Sequence, residues 1–266
     1  MEIEIYDKFK KIIYDKAGIN LGDKKQALVE ARVSKRLREL QLPDLKAYLQ
    51  FLKKDSSEAE LVNLLDVIST NVTSFYRESV HFDFIGEQMK GWLRKGQRKF
   101  RFWSAACSSG EEPYTLAVTL LNCIENNNVD IRILATDIST QILQKAIDGV
   151  YPAEKTGAIP AEFIDKYFNR ITINGEKYFQ VQDKLKKLIT FKRLNLSSPP
   201  FPMKGPMDCI FCRNVMIYFD NIVRKKLLSE VERLLKKGGY LFTGHAESLT
   251  GQLCALRSVK PSIYVK

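Results

Sequence analysis

The chain has 266 residues, 45% of them hydrophobic and 27% charged, with five scattered cysteines. That composition excludes long disorder, a collagen-like repeat and a disulfide-stapled miniprotein, and no apolar run approaches the ~18 residues of a membrane helix. Lysine and arginine exceed aspartate and glutamate by 11, which favours an acidic partner without naming its class.

The length suggests two domains. The amphipathic start, MEIEIYDKFKK, does not read as a secretory signal, and the odd cysteine count fits a reducing compartment, so the expected location is the cytoplasm. Residues 1–78 carry only helical patterns. Ile5, Phe9, Ile12 and Ile13 recur at helical spacing until Gly18. Asp23 with Gln26 predicts a capping box for a helix through Leu28, Ala31, Leu37 and Leu40, closed by Pro43. Asp44 opens another with Leu45, Tyr48, Leu49 and Leu52, and Ser57 with Glu60 predicts a second capping box before Leu61, Leu64, Leu65 and Ile68. A helix over Ser79–Lys95 then links, across 79–98, to a second domain over 99–266.

There the period changes. Phe100–Ala105, Ile131–Thr136, Leu188–Phe191, Asp208–Cys212 and Tyr240–Thr243 read as strands, alternating with helices near 113–126, 140–148 and 221–237, the last stopped by Gly238-Gly239. Such alternation predicts an α/β fold of parallel strands with helices on both faces, and a ligand site beyond the strands' carboxyl ends. Arg170–Val181 breaks the rule with two alternating runs around Asn174-Gly175, a hairpin signal that predicts a small β insertion near 168–183.

The densest chemistry lies in FWSAACSSGEEP, Phe102–Pro113. Small residues at a strand end let a ligand approach the backbone, and a helix start offers free N–H groups. A dinucleotide fingerprint needs three glycines where only Gly110 stands, and Glu111 and Glu112 would repel a pyrophosphate. On this stretch alone two readings stand level: a pocket for a ligand with a cationic amino group and no phosphate, or a plain strand–helix turn with capping acids. Asp137, ending ILATD, can accept from ribose hydroxyls or cap the helix that follows. Together these acids describe a phosphate-free nucleoside site of the kind S-adenosylmethionine needs. With only two histidines, His81 and His245, and Cys209-x-x-Cys212 lying on an apolar strand without a second pair, no metal is expected.

Four separated stretches, TNVTSFYRE (70–78), RFWSAACSSGEEPYTLA (101–117), ILATDIS (133–139) and CRNVMIYFD (212–220), resemble the chemotaxis receptor methyltransferases of CheR type, and TFKRLNL (190–196) extends the likeness over essentially the whole chain. The resemblance implies a Rossmann-like S-adenosylmethionine-dependent methyltransferase domain with a small β-subdomain insertion, preceded by an all-α domain. It implies methyl transfer to glutamates on the cytoplasmic helices of chemoreceptors, with S-adenosylhomocysteine as product. It places Asn71, Thr73 and Arg77 at the cofactor from the interdomain side, Glu112 or Glu111 at the methionine amino group, and Asp137 at the ribose. Asn195 and Leu196 then border the adenine, and Arg213 and Asn214 line the pocket. Arg77 and Tyr218 are the candidate catalytic residues.

A glutamate nucleophile has a reference pKa of ~4.3, so no base is needed, and the scarcity of histidine fits. The basic helix over Lys24–Leu40 presents Arg32 and Arg36 one turn apart, suited to docking an acidic receptor helix, although a solvated face or a nucleic-acid surface is open to the same residues. No aromatic-rich basic stretch supports base stacking, so nucleic acid is not expected as a partner. A monomer without membrane insertion is expected. The competing readings are a methyltransferase on RNA or another acidic polymer, and a non-catalytic adenosyl-binding signalling module.

Overall fold

A computed structural model of the protein describes residues 3–22, 25–55, 59–68, 71–124, 128–249 and 255–266. Among these, no helix is long and apolar enough to cross a membrane.

The chain opens with four helices: α1 (Ile3–Ala17), α2 (Gln26–Glu39), α3 (Leu45–Lys54) and α4 (Ala59–Ile68). Their apolar stripes meet in one cluster holding Phe9, Ile13, Val29, Val33, Tyr48, Leu49, Leu64 and Leu65. Gly18 ends α1 with φ +67, and a Cβ there would fall 2.4 Å from Ser197 Cβ, so only glycine serves both the left-handed turn and the close approach to the second domain. Asp44 caps α3, accepting from the Ala47 N–H at 2.7 Å. Of the two predicted capping boxes, Asp23 (with Lys24 beside it) and Ser57 lie outside the described residues. At the second, the Glu60 N–H donates to Asp55 Oδ2 at 2.7 Å, so Asp55 satisfies the first turn of α4 and the Glu60 side chain is free to turn elsewhere.

Next come α5 (Val80–Arg94), β1 (Lys99–Ser104), α6 (Glu111–Leu121), β2 (Asp130–Asp137), α7 (Thr140–Asp148), β3 (Val150–Pro152), α8 (Ala161–Tyr167), β4 (Phe168–Ile173), β5 (Glu176–Val181), α9 (Asp183–Lys186), β6 (Ile189–Arg193), β7 (Met207–Phe211), α10 (Asn221–Leu234), β8 (Leu235–Phe242), β9 (Arg257–Lys260) and β10 (Ile263–Val265). The large sheet runs β6-β2-β1-β7-β8-β10-β9. Its first five strands pair in parallel, as the alternating pattern predicts. Side chains alternate between its faces: Phe100 and Phe102 of β1 join Phe82, Ile85 and Met89 of α5 and Leu116 of α6, while Trp103 joins Leu227, Leu228 and Val231 of α10. Helix α5 is thus packed on the sheet.

Three features depart from the sequence reading. Gly238-Gly239 does not stop α10; that helix ends at Leu234, and both glycines lie in β8, where the register against β7 shifts between Met207 and Cys209. The C-terminal strands are antiparallel, β10 on β8 and β9 on β10, so the sheet is mixed. The β insertion has a third strand: β3 pairs with β5, completing the sheet β3-β5-β4 around the predicted hairpin. Asn174 and Gly175 adopt φ 50 and 82, the positive angles of a tight hairpin turn.

Along one edge the two domains are stitched together. Ile19 forms an antiparallel bridge with Phe219, the Asn20 N–H donates to the Tyr218 carbonyl at 2.7 Å, and Tyr14 donates to Asp220 Oδ2 at 2.6 Å.

Candidate active site

The strand order reverses beside β1: β2 and β6 lie on one side, β7 and β8 on the other. Parallel sheets open a crevice at such a switch point, beyond the strands' carboxyl ends. Here a cleft of ≈ 1180 Å³, open mouth included, is lined by Ala105, Ala106, Asp137, Ile138, Leu196 and Asn214 from the sheet side. Its opposite wall comes from the helical domain, with Lys25, Leu28 and Arg32 of α2 and its approach, and from residues 71–74 and Arg77.

The loop after β1 is folded by its own polar groups. The Cys107 N–H donates to the Thr136 carbonyl at 2.9 Å, and the Ser108 N–H to Asp137 Oδ2 at 2.9 Å. Gly110, at φ +96, precedes α6; a Cβ there would lie 2.8 Å from the Tyr151 hydroxyl and 2.9 Å from Ala146 Cβ, which bars any larger residue. Asp137 also accepts from the Ser139 N–H, through Oδ1 at 3.0 Å. Burial pushes its carboxyl up, opposed by those backbone donors.

The two glutamates that open α6 part company. Glu111 is 1% exposed, accepts from the Ser109 hydroxyl and is not part of the cleft lining. Glu112 lines the cleft, accepting from the Ser104 hydroxyl at 2.7 Å and from Arg213 Nη1 at 3.0 Å. Burial pushes its carboxyl up, with the Arg213 charge pulling back. Arg213 itself is almost enclosed; it also donates to Glu78 Oε2 and to the Arg77 carbonyl, and lies 5.5 Å over the Phe82 ring.

Family models match both halves of this architecture. One described as the CheR methyltransferase all-alpha domain spans residues 4–69, and one described as the CheR methyltransferase SAM binding domain spans residues 71–265. A chemotaxis protein methyltransferase of Borreliella burgdorferi is 41% identical over 263 residues, covering 96% of this chain and 92% of that protein. One of Escherichia coli is 36% identical over 245 residues, covering 92% of this chain and 84% of its own. The chain belongs to the CheR methyltransferase family. Among solved structures, an S-adenosylmethionine-dependent methyltransferase from Mesorhizobium loti is 14% identical, covers 55% of this chain and 46% of its own, and has a TM-score of 0.33.

S-adenosylmethionine is the cofactor of this family's binding domain, and the donor set of the cleft fits it. Two buried carboxylates, Asp137 and Glu112, flank an apolar wall of Ile138, Leu196 and Ala105, and among the described residues that line the cleft none is a glycine. The cleft gathers Asn71, Thr73, Arg77, Glu112, Asp137, Asn195, Leu196, Arg213, Asn214 and Tyr218. Several are engaged differently from the sequence reading. Glu112 meets the cleft already paired with Arg213, so an ammonium group would share that carboxylate. Asn195 donates one amide N–H to the Lys16 carbonyl at 2.7 Å and accepts at Oδ1 from the Ser197 N–H at 3.0 Å, fixing the turn beside the cleft. Leu196 is at once cleft wall and core. Asn71 accepts at its carbonyl from the Ser108 hydroxyl at 3.1 Å, clasping the interdomain segment to the cofactor loop.

The expected docking pair is revised. Arg36 grips Glu60 through Nε at 2.9 Å and Nη2 at 2.6 Å and also pairs with Glu39, so its charge is internal. Arg32 donates to the Ile68 carbonyl and turns to the cleft. Helix periodicity shows which residues share a face but not that a partner helix covers it.

Glu78 is the residue that sequence reasoning passed over, although it closes the first motif. His81 and His245, far apart in sequence, meet at it: Glu78 Oε2 lies 3.6 Å from His81 Nδ1 and 4.0 Å from His245 Nε2. These three could ligate a cation by spacing, but the Arg213 guanidinium already occupies the same carboxylate oxygen at 3.1 Å.

Proposed function

We propose that this chain transfers the methyl group of S-adenosylmethionine to glutamate side chains on the cytoplasmic helices of chemotaxis receptors, giving glutamate methyl esters. The observation that carries the reading is the Arg77 guanidinium. It borders the cleft, donates to the Val72 carbonyl at 2.8 Å, and makes no ion pair among the described residues. The neighbouring Arg213 is matched by Glu112 and Glu78. A planar cation without an internal carboxylate, beside a cofactor cleft, suits a carboxylate arriving from outside.

S-adenosylmethionine supplies a methyl group on a sulfonium, so a carboxylate oxygen gains the carbon as the sulfur loses it, and no proton moves. The residues accordingly have to orient and enclose. Arg77 would hold the acceptor carboxylate, Tyr218 would border the reacting groups, and Asp137 and Glu112 would fix the donor. The names of the relatives support the chemotaxis setting. Incubating the protein with methyl-labelled S-adenosylmethionine and receptor membranes tests the proposal. Base-labile label on receptor glutamates is expected; label on RNA, or on nothing, overturns it.

A further inference from the structure

We infer that Glu78 is a positioning residue that holds Arg77 at the cleft by tying the interdomain segment to the ends of β7 and β8. The inference rests on the reading of Arg77 as the acceptor-side cation, and Glu78 is not itself part of the cleft lining.

The backbone on either side of Arg77 is strained. Tyr76 and Glu78 adopt φ 53 and 55, the left-handed region that disfavours residues with a Cβ. Such a residue is disfavoured by its Cβ and persists only where its surroundings hold it. On the early side the hold is a ring contact and one backbone donor: the Phe75 ring packs edge-on against Tyr151 at 4.9 Å, and the Tyr76 N–H donates to Thr115 Oγ1 at 3.2 Å. On the late side the hold is the Glu78 carboxylate. Its Oε2 accepts from Arg213 Nη2 at 3.1 Å, and its Oε1 accepts from Asn214 Nδ2 at 3.4 Å and from the His245 N–H at 3.3 Å. The same Arg213 nitrogen donates to the Arg77 carbonyl. Arg77 is therefore clasped through its own peptide and through its neighbour's side chain, by one guanidinium.

The clasp needs a charge. Burial works against the Glu78 carboxylate, yet the Arg213 charge and the bonds from His245 and Asn214 hold its pKa below the ordinary value, so it is ionised at neutral pH. Arg213 stands between two carboxylates, Glu78 and Glu112, and losing either charge changes its balance.

Glu78→Gln keeps the shape and one acceptor while deleting the charge. In this variant kcat should fall at least about 10-fold while the KM for S-adenosylmethionine and the Kd for S-adenosylhomocysteine stay within about 3-fold. Amide hydrogen exchange over residues 71–78 should quicken at least about 10-fold, with exchange in β1, β2 and α10 unchanged. An unchanged kcat, or unchanged exchange over 71–78, overturns the inference. So does a uniform loss, in which exchange rises throughout and cofactor affinity falls with kcat, because that marks a general structural role. The exchange measurement needs no receptor. A wild-type protein that methylates no glutamate would overturn the proposed function, while exchange would still decide whether Glu78 clasps the segment.

Discussion

Arg213 Nη1 lies 3.0 Å from Glu112 Oε2, and the two side chains are 2% and 11% exposed. Two charges so far from solvent are tolerable only as partners, and Arg213 joins the start of α6 to the interdomain segment through Glu112 and Glu78. Removing one partner strands the other.

Arg213→Leu should therefore destabilise the protein by about 3–5 kcal/mol, the usual cost of orphaning a buried charge. Urea unfolding at neutral pH measures it. A loss under about 1 kcal/mol would mean that Glu112 finds another partner or accepts a proton cheaply.

Arg77→Ala should leave S-adenosylhomocysteine affinity within a few-fold and lower the rate of receptor methylation by about 100-fold, near 2.7 kcal/mol of transition-state stabilisation. Arg77→Lys should recover only part, because an ammonium lacks the two-pronged geometry. Normal turnover in the alanine variant at saturating receptor would remove Arg77 from the reaction site.

At Asp137, both carboxylate oxygens receive backbone N–H groups, from Ser108 and Ser139. Asp137→Asn must turn an NH2 toward one of them, leaving a buried donor facing a donor, at about 1–3 kcal/mol. Calorimetry should show S-adenosylhomocysteine bound at least about 10-fold more weakly, since the loop that carries the site is disturbed with it.

A pH effect follows from His81, which is wholly buried with neither ring nitrogen hydrogen-bonded among the described residues. Burial first, then the Arg213 charge, push its pKa down to about 4, with Glu78 pulling the other way. As pH falls below the ordinary value near 6.5, the unfolded chain takes up a proton that the folded chain refuses, so stability is lost on acidification. The protein should be about 2 kcal/mol less stable at pH 5 than at pH 7 from this group. Denaturant titrations of wild type and His81→Phe check it: between pH 7 and pH 5 the variant should lose about 2 kcal/mol less stability than wild type.

Arg36 yields a different outcome from a docking arginine. Its two-pronged grip on Glu60, which Tyr48 shares at 2.6 Å, is largely shielded between α2 and α4, with the Arg36 side chain 15% exposed. Arg36→Ala should cost about 3 kcal/mol of stability. Thermal unfolding decides it, and an unchanged midpoint would return Arg36 to the surface.

What the sequence made readable was local. β1, β2 and β7 are apolar runs whose alternate residues feed two cores, and Asn174-Gly175 can hardly be anything but a hairpin turn. The glycine pair at 238–239 misled because a helix stop and a strand irregularity use the same residue. β3, three residues long, has no period of its own and exists by pairing with β5. At the cleft, the acids at a strand end and a helix start were legible, and Asp137 and Glu112 both line it. Glu78 was not, because its meaning depends on Arg213, 135 positions away. The Arg36–Glu60 pair is invisible for the same reason, as it forms between two helices whose packing no single-helix pattern specifies.

The cleft has one wall from the four-helix domain and one from the sheet, stitched along the Ile19–Phe219 edge. An adenosyl group held in that cleft would therefore act as a rivet through two plates. Without it, each plate melts at a temperature set by its own core and the stitching. With it, the binding energy is lost whichever plate opens first, so both gain the same protection.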